Sequence, residues 1–237
     1  MRKTALSIVL LAGLVPAAQA WELSAVRDDG QADFRDVTLD MLGAIGFKNL
    51  RPASVLPTWS WGIGAYGSTT FVDDHEVWKS SVGSSVDTVN VAGLTGYVQL
   101  PRELQLGALA AAITDTDDQL YALDLRYPLL KKMGGFAVLS ARASASVVYG
   151  VEDIHLSSQA LELIGSHQRG ALTPYAGLGV VFGQFNPSSD TELSSENPVR
   201  PRLLAGASWA LNGFDLSGEV EQTGRNTSLA LRLSAGF

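Results

Sequence analysis

Three sets of side chains in this sequence carry groups able to move protons, bind cations or pair charges. Asp73-Asp74-His75 and Asp153-Ile154-His155 each place a carboxylate beside an imidazole, the pairing that orients a histidine as a general base and lets it draw a proton from water. Asp115-Thr116-Asp117-Asp118 offers hard oxygen ligands to a divalent cation but lacks the glycine and the distal glutamate of a calcium-hand loop. The third set is a series of charges spaced among apolar residues: Asp124, Glu162, Glu219 and Glu221 against Arg126, Arg142, Arg202 and Arg232. With no cysteine in the chain, disulfides, thiolate metal sites and thiol nucleophiles are closed off. No serine sits in a glycine-framed nucleophile elbow. The expectation is no catalytic residue, no resident metal and no cofactor.

The elements that must position these residues are read from a period of two. In the last ten residues Leu229, Leu231, Leu233, Ala235 and Phe237 form one face, and Ser228, Ala230, Arg232, Ser234 and Gly236 the other. Such alternation is the signature of a strand with two unlike faces. The same parity runs through 59–71, 120–127, 136–151, 202–211 and 214–221, and more weakly through 88–100, 104–114, 154–165 and 171–184. The count is ten. The face opposite the apolar one is made of Gly, Ser, Ala and a few Arg rather than the Lys and Glu of a water-facing strand. Small residues suit a crowded lumen, so the sequence predicts an all-β fold, an antiparallel transmembrane β-barrel, with the eight charges pointing inward. A soluble sandwich or lipocalin-like barrel would point the apolar face inward instead.

Loops and aromatics follow the same axis. Short turns fall at 101–103, 128–135, 166–170 and the Asn212-Gly213 pair, which suits a type I′ hairpin. The connections at the other end fall at 73–87, 115–118, 152–153, 185–199 and 222–227; they include the two longest and hold twelve of the 24 acids. Short turns belong on the periplasmic side of an outer-membrane barrel and long loops outside. Aromatics mark the ends of the lipid face, with Trp59, Tyr127, Trp209, Phe214 and Phe237 at the turn end and Phe71, Tyr121 and Tyr149 at the loop end. Amphipathic rings prefer the headgroup level, so these are membrane-interface aromatics.

Residues 1–20 read as a secretory signal peptide: basic Arg2-Lys3, an apolar stretch too short to span a bilayer, and small residues at Ala18 and Ala20. Removing them takes the net charge from −7 to −9, an acidic balance that argues against nucleic acid as a partner. Residues 21–58 form an N-terminal segment ahead of a barrel at 59–237. Within it Val37, Leu39, Met41, Ile45 and Phe47 alternate as in a strand, yet Asp33 could cap a helix through Phe34, Val37, Met41 and Ile45. The segment either packs in or under the lumen of a ten-stranded barrel, or joins a further strand at 74–88 to give twelve.

The chain resembles the small, largely uncharacterised outer-membrane β-barrel proteins of Gram-negative bacteria. The resemblance runs through Phe34 to Leu50 with Pro52-Ala53 and Pro57, through Thr173-Pro174-Tyr175-Ala176-Gly177-Leu178-Gly179, and through the terminal strand. It implies outer-membrane location and barrel fold, and it supplies no catalytic residue. The partners expected are outer-membrane lipid and lipopolysaccharide, with the general secretion, periplasmic chaperone and barrel-assembly machinery on the way there. The functional expectation is a narrow, charge-paired lumen with a structural role or passage for a small solute. The alternative is a hydrolase at the extracellular rim, since the two Asp/His runs are similar to those of the ten-stranded omptin proteases.

Overall fold

The computed structural model describes residues 30–73, 75–82, 86–114, 116–133, 136–151, 154–188 and 192–237. The proposed signal peptide, residues 21–29, and Asp74, Asp115 and Asp153 lie outside the described residues. A helix, α1 (Gln31–Ile45), is followed by an extended stretch over 46–60 and then by ten strands: β1 (Trp61–Phe71), β2 (Thr88–Gln99), β3 (Gln105–Ile113), β4 (Gln119–Met133), β5 (Phe136–Tyr149), β6 (Ile154–Ser166), β7 (Leu172–Pro187), β8 (Val199–Leu211), β9 (Phe214–Thr223) and β10 (Asn226–Gly236). Every neighbouring pair is antiparallel, and β1 closes on β10 from Gly62↔Gly236 to Thr70↔Ser228. Closure removes all free sheet edges, which a wall in lipid requires. Up to Thr88, where β2 begins, the span 74–88 supplies no further strand among its described residues; it holds a short helix, α2 (His75–Val82), and the barrel has ten strands rather than twelve.

The turns show why the boundaries fall where they do. Asn212 and Gly213 both have positive φ, 37° and 100°, as a type I′ hairpin demands. The turn expected at 128–135 is shorter, because β4 continues through Pro128 to Met133. The register shifts between Pro128 and Leu130, and at such a bulge the missing proline N–H breaks no ladder bond. The loop expected at 222–227 shrinks to Gly224-Arg225, with Gly224 at φ 59°.

The wall sorts its side chains by parity. Leu94, Leu123, Leu161, Leu178, Leu203 and Leu231, each on a different strand, are 58–63% exposed. An apolar belt on that scale has no place in water. Inside, the helix rather than the strand reading of residues 36–47 holds. Phe34, Val37, Met41 and Ile45 face the wall at helical spacing, and from Asp40 to Ile45 every residue is buried, because the lumen surrounds the helix on all sides. Asp33 lies in the first turn, where its charge suits the helix N-terminus, while Gly30 takes the cap position. Around α1 the loop-end half of the lumen is an apolar core that includes Val91, Leu109, Ile113, Val148, Leu156 and Phe185.

Candidate functional site: a lumen clamped around the N-terminal segment

The N-terminal segment crosses the barrel from one mouth to the other. Gln31 at the start of α1 is bonded at the loop end, donating to Ser194 O at 3.1 Å and accepting from Ser194 N at 2.7 Å. At the turn end Ser166 Oγ donates to Ala53 O, and Trp59 N donates to Gln99 O at 2.7 Å before β1 begins. Between these anchors, polar groups of the wall engage the segment's backbone.

The last carbonyls of a helix have no partner within it and carry partial negative charge. Here cations and hydroxyls meet them. Lys48 Nζ donates to Gly43 O and Ser146 Oγ to Ile45 O at 2.7 Å, and just past the helix both Nη atoms of Arg142 donate to Phe47 O at 3.0 and 3.1 Å. Gly46 has no side chain for a reason: a Cβ there would lie 2.1 Å from Arg202 Nη2. Beyond the helix, the backbone N–H groups of Asn49 and Leu50 donate to the two oxygens of Glu219, each at 3.0 Å. Leu50 is held at φ 44°, a left-handed conformation unfavourable for leucine that persists only where its surroundings dictate it. Successive N–H groups gathered on one carboxylate form a small anion-binding concavity.

Seven of the eight inward charges read from the sequence meet in this region. Asp124 accepts from Arg51 Nη2 at 3.0 Å, Arg142 Nε at 2.9 Å and Arg126 Nη2 at 3.3 Å. Glu162 accepts from Arg142 Nη1 at 2.5 Å and Arg202 Nη1 at 3.3 Å. Glu221 takes Lys48 Nζ at 2.8 Å and Arg202 Nε at 3.4 Å. Arg126 also reaches the segment, donating to Arg51 O at 2.9 Å and to Asn49 Oδ1 at 2.6 Å. Arg232 stands apart from the network. The residues that sequence reasoning missed are Lys48, Asn49 and Arg51. The available signal was two cations three apart in a segment without periodicity, directly after a helix and inside an acidic chain. With them the clamp and Arg232 comprise six cations and four acids, and the buried carboxylates of Asp40 and Asp118, nearer the loop end, bring the buried charges among the described residues to six of each sign.

The eight aromatics expected at the membrane interface are all exposed, from Phe214 at 37% to Phe237 at 65%. Trp61 stacks on Phe237 with centroids 4.6 Å apart across the β1/β10 seam, and Tyr121 meets Tyr149 edge-on at 5.7 Å. The hydrolytic runs are not brought together. His75 opens α2, with Nδ1 3.3 Å from Val86 O and 3.3 Å from Asp87 Oδ1, whereas His155 is exposed in β6, opposite β1 in the ring. Among the described residues no three His, Cys, Asp or Glu side chains are grouped to hold a metal ion.

No family model matches the chain, and no curated protein matches it. Among solved structures it is similar to an outer membrane channel from Pseudomonas putida, at 14% identity over 81% of this chain and 100% of that one, with a TM-score of 0.46. The translocator domain of autotransporter NalP from Neisseria meningitidis is 12% identical over 90% of this chain and 99% of its own, with a TM-score of 0.39. The KdgM porin in complex with disordered oligogalacturonate gives 11%, 74%, 99% and 0.38. This chain's own wall fixes its setting. A closed antiparallel barrel with an apolar belt, aromatic rims and a polar interior is an outer-membrane β-barrel.

Proposed function

We propose that this protein is an occluded outer-membrane barrel, in which residues 30–58 act as a resident plug and the buried charges act as its clamp. The observation that carries the reading is the use made of the wall charges: Glu219, Arg126 and Arg142 bond the plug's own backbone rather than a water-filled passage. Barrels of about eight strands are filled by side chains, and open aqueous pores need about sixteen. Ten strands leave room for one helix, and one helix is there. The short turns and the C-terminal end of β10 face the periplasm in this reading, and the loops face outward. The neighbours are outer-membrane lipid and lipopolysaccharide, delivery depends on the secretion signal at 1–20, and insertion depends on the chaperone and barrel-assembly machinery.

Passage of a small solute requires the clamp to open. Single-channel recording in planar bilayers tests this. The full chain is expected to stay silent, and Lys48→Ala with Arg51→Ala, which removes both plug cations from their acids, to show openings. Steady conductance of the unmodified protein at the level of a water-filled ten-stranded lumen contradicts the proposal.

A further inference from the structure

Below the clamp, at the turn end, the lumen opens into a cavity of about 500 Å³, within the roughly 300–1,000 Å³ typical of small-molecule sites. Arg51, Tyr97, Gln105, Lys131, Asp215 and Arg232 are among the residues that line it. Most of these have fixed partners. Arg51 bonds Asp124 and Gln105 Oε1, the Gln105 amide donates to Gln99, and Lys131 pairs with Glu103. Arg232 has none. It is 6% exposed, it makes no hydrogen bond or ion pair among the described residues, and its Nε is sealed from solvent without an acceptor. Asp215, the acid on the same cavity, is not within ion-pair distance of it. A guanidinium taken out of water with no counter-charge in contact costs several kcal/mol, and the four carboxylates of the clamp are already engaged by Lys48, Arg51, Arg126, Arg142, Arg202 and the plug backbone. A second cation, Arg51, stands over the Tyr97 ring at 4.8 Å. Tyr97 itself can lie into the cavity only because residue 62 is glycine, where a Cβ would meet the ring at 2.6 Å.

We propose that this vestibule is a binding site for a small solute bearing a carboxylate or phosphate group, entering from the turn end and recognised by Arg232. The planar guanidinium offers paired N–H donors at the spacing of two oxygens on one carboxylate or phosphate, and such charge-assisted bonds are the strong ones. Arg51 of the plug, on the same cavity, adds a positive field, and Asp215 disfavours ligands carrying several negative charges. The site does not depend on whether the plug ever moves: a conducting protein would undo the plug reading and leave this one standing.

Calorimetric titration of the full chain, folded in a neutral detergent, decides it. Inorganic phosphate and succinate are the probes, and glycerol is the uncharged control. Saturable one-to-one binding of at least one anion is expected, phosphate alone or succinate alone telling which oxyanion the site takes, with no response to glycerol. Arg232→Met should weaken it at least tenfold, and Arg200→Met, at the loop end, should leave it unchanged. Should Arg232→Met fail to fold, Ala210→Glu decides instead, because Ala210 lines the rim of the cavity and is exposed; the added carboxylate should occupy Arg232 and cost the same tenfold. No saturable binding of either anion, or binding undiminished in the variant that folds, overturns the proposal.

Discussion

Replacing Asp124 by asparagine removes one charge and almost no volume from the centre of the clamp. Asp124 is 1% exposed and accepts from three guanidiniums. Two of these keep other partners: Arg142 retains Glu162 and Phe47 O, and Arg126 retains the plug oxygens of Arg51 and Asn49. Arg51 retains only neutral partners, Gln105 Oε1 at 2.9 Å and the Tyr97 ring. Removing one partner of a buried pair costs about 3–5 kcal/mol, because it leaves an uncompensated charge away from water. At about 1.4 kcal/mol per tenfold, the folded population relative to the unfolded falls by a hundredfold or more. Urea unfolding in detergent micelles, followed by tryptophan fluorescence, reads this directly. Asp117→Asn, at the exposed loop end, is the control and should change stability by no more than about 0.5 kcal/mol. Adding Arg51→Met to Asp124→Asn should restore part of the loss, since the stranded charge leaves with it. If Asp124→Asn costs no more than Asp117→Asn, or if Arg51→Met adds its own full loss to that of Asp124→Asn, the clamp is not built as described.

Three further outcomes follow from the wall and the plug. Leu123→Arg, 58% exposed on β4 between the outward rings of Tyr121 and Tyr127, should lower stability by about 2–4 kcal/mol near the bilayer midplane and reduce the assembled protein recovered from membranes; a change within about 0.5 kcal/mol means Leu123 does not face lipid. Glu219→Gln keeps one acceptor for the paired N–H groups of Asn49 and Leu50 and sets an amide against the other. It should cost about 1.5–3 kcal/mol and speed hydrogen exchange at those two amides selectively, and exchange unchanged at both would detach Glu219 from the plug. A protease site inserted between Trp21 and Gly30 should be cut by protease added outside intact cells, because α1 begins at the loop end; cutting only after the outer membrane is permeabilised reverses the orientation.

The wall was legible in the sequence because its physics has a period of two. Outward Leu94, Leu123 and Leu231 and inward Asp124 and Arg232 follow from parity alone, and Asn212-Gly213 announced its turn through the positive φ that both positions need. The plug was less legible because its surroundings are unusual. A helix enclosed by a barrel has no polar face, so Asp40 to Ile45 lost the amphipathic pattern that separates helix from strand, and Leu39 and Phe47 filled in a false alternation. Trp78 and Asp40 mark a second gap. They bond at 2.7 Å, tying α2 to α1 across 38 residues, a contact no local pattern contains. Lys48 and Arg51 sit where the chain is extended and aperiodic, and only the filled lumen shows that they oppose Glu221 and Asp124. The expected turn at 128–135 begins at Pro128, yet the proline lies within β4, at a register shift against β5 that no local pattern contains.

Residues 30–58 run through the barrel lumen, and an engineered pair of thiols reads that placement. The chain has no cysteine, so Gly43→Cys with Asn226→Cys introduces its only two thiols. A Cβ at residue 43 would lie 2.9 Å from Asn226 Cβ, and a disulfide holds its Cβ atoms roughly 3.5–4.5 Å apart, so a small relaxation brings the two sulfurs into bonding range. Mild oxidation of the folded, membrane-inserted protein should cross-link α1 to β10 nearly completely, read by intact mass and by loss of maleimide labelling in the denatured chain. Two free thiols that label fully after the same oxidation would contradict the account, because α1 would then lie elsewhere than in the lumen.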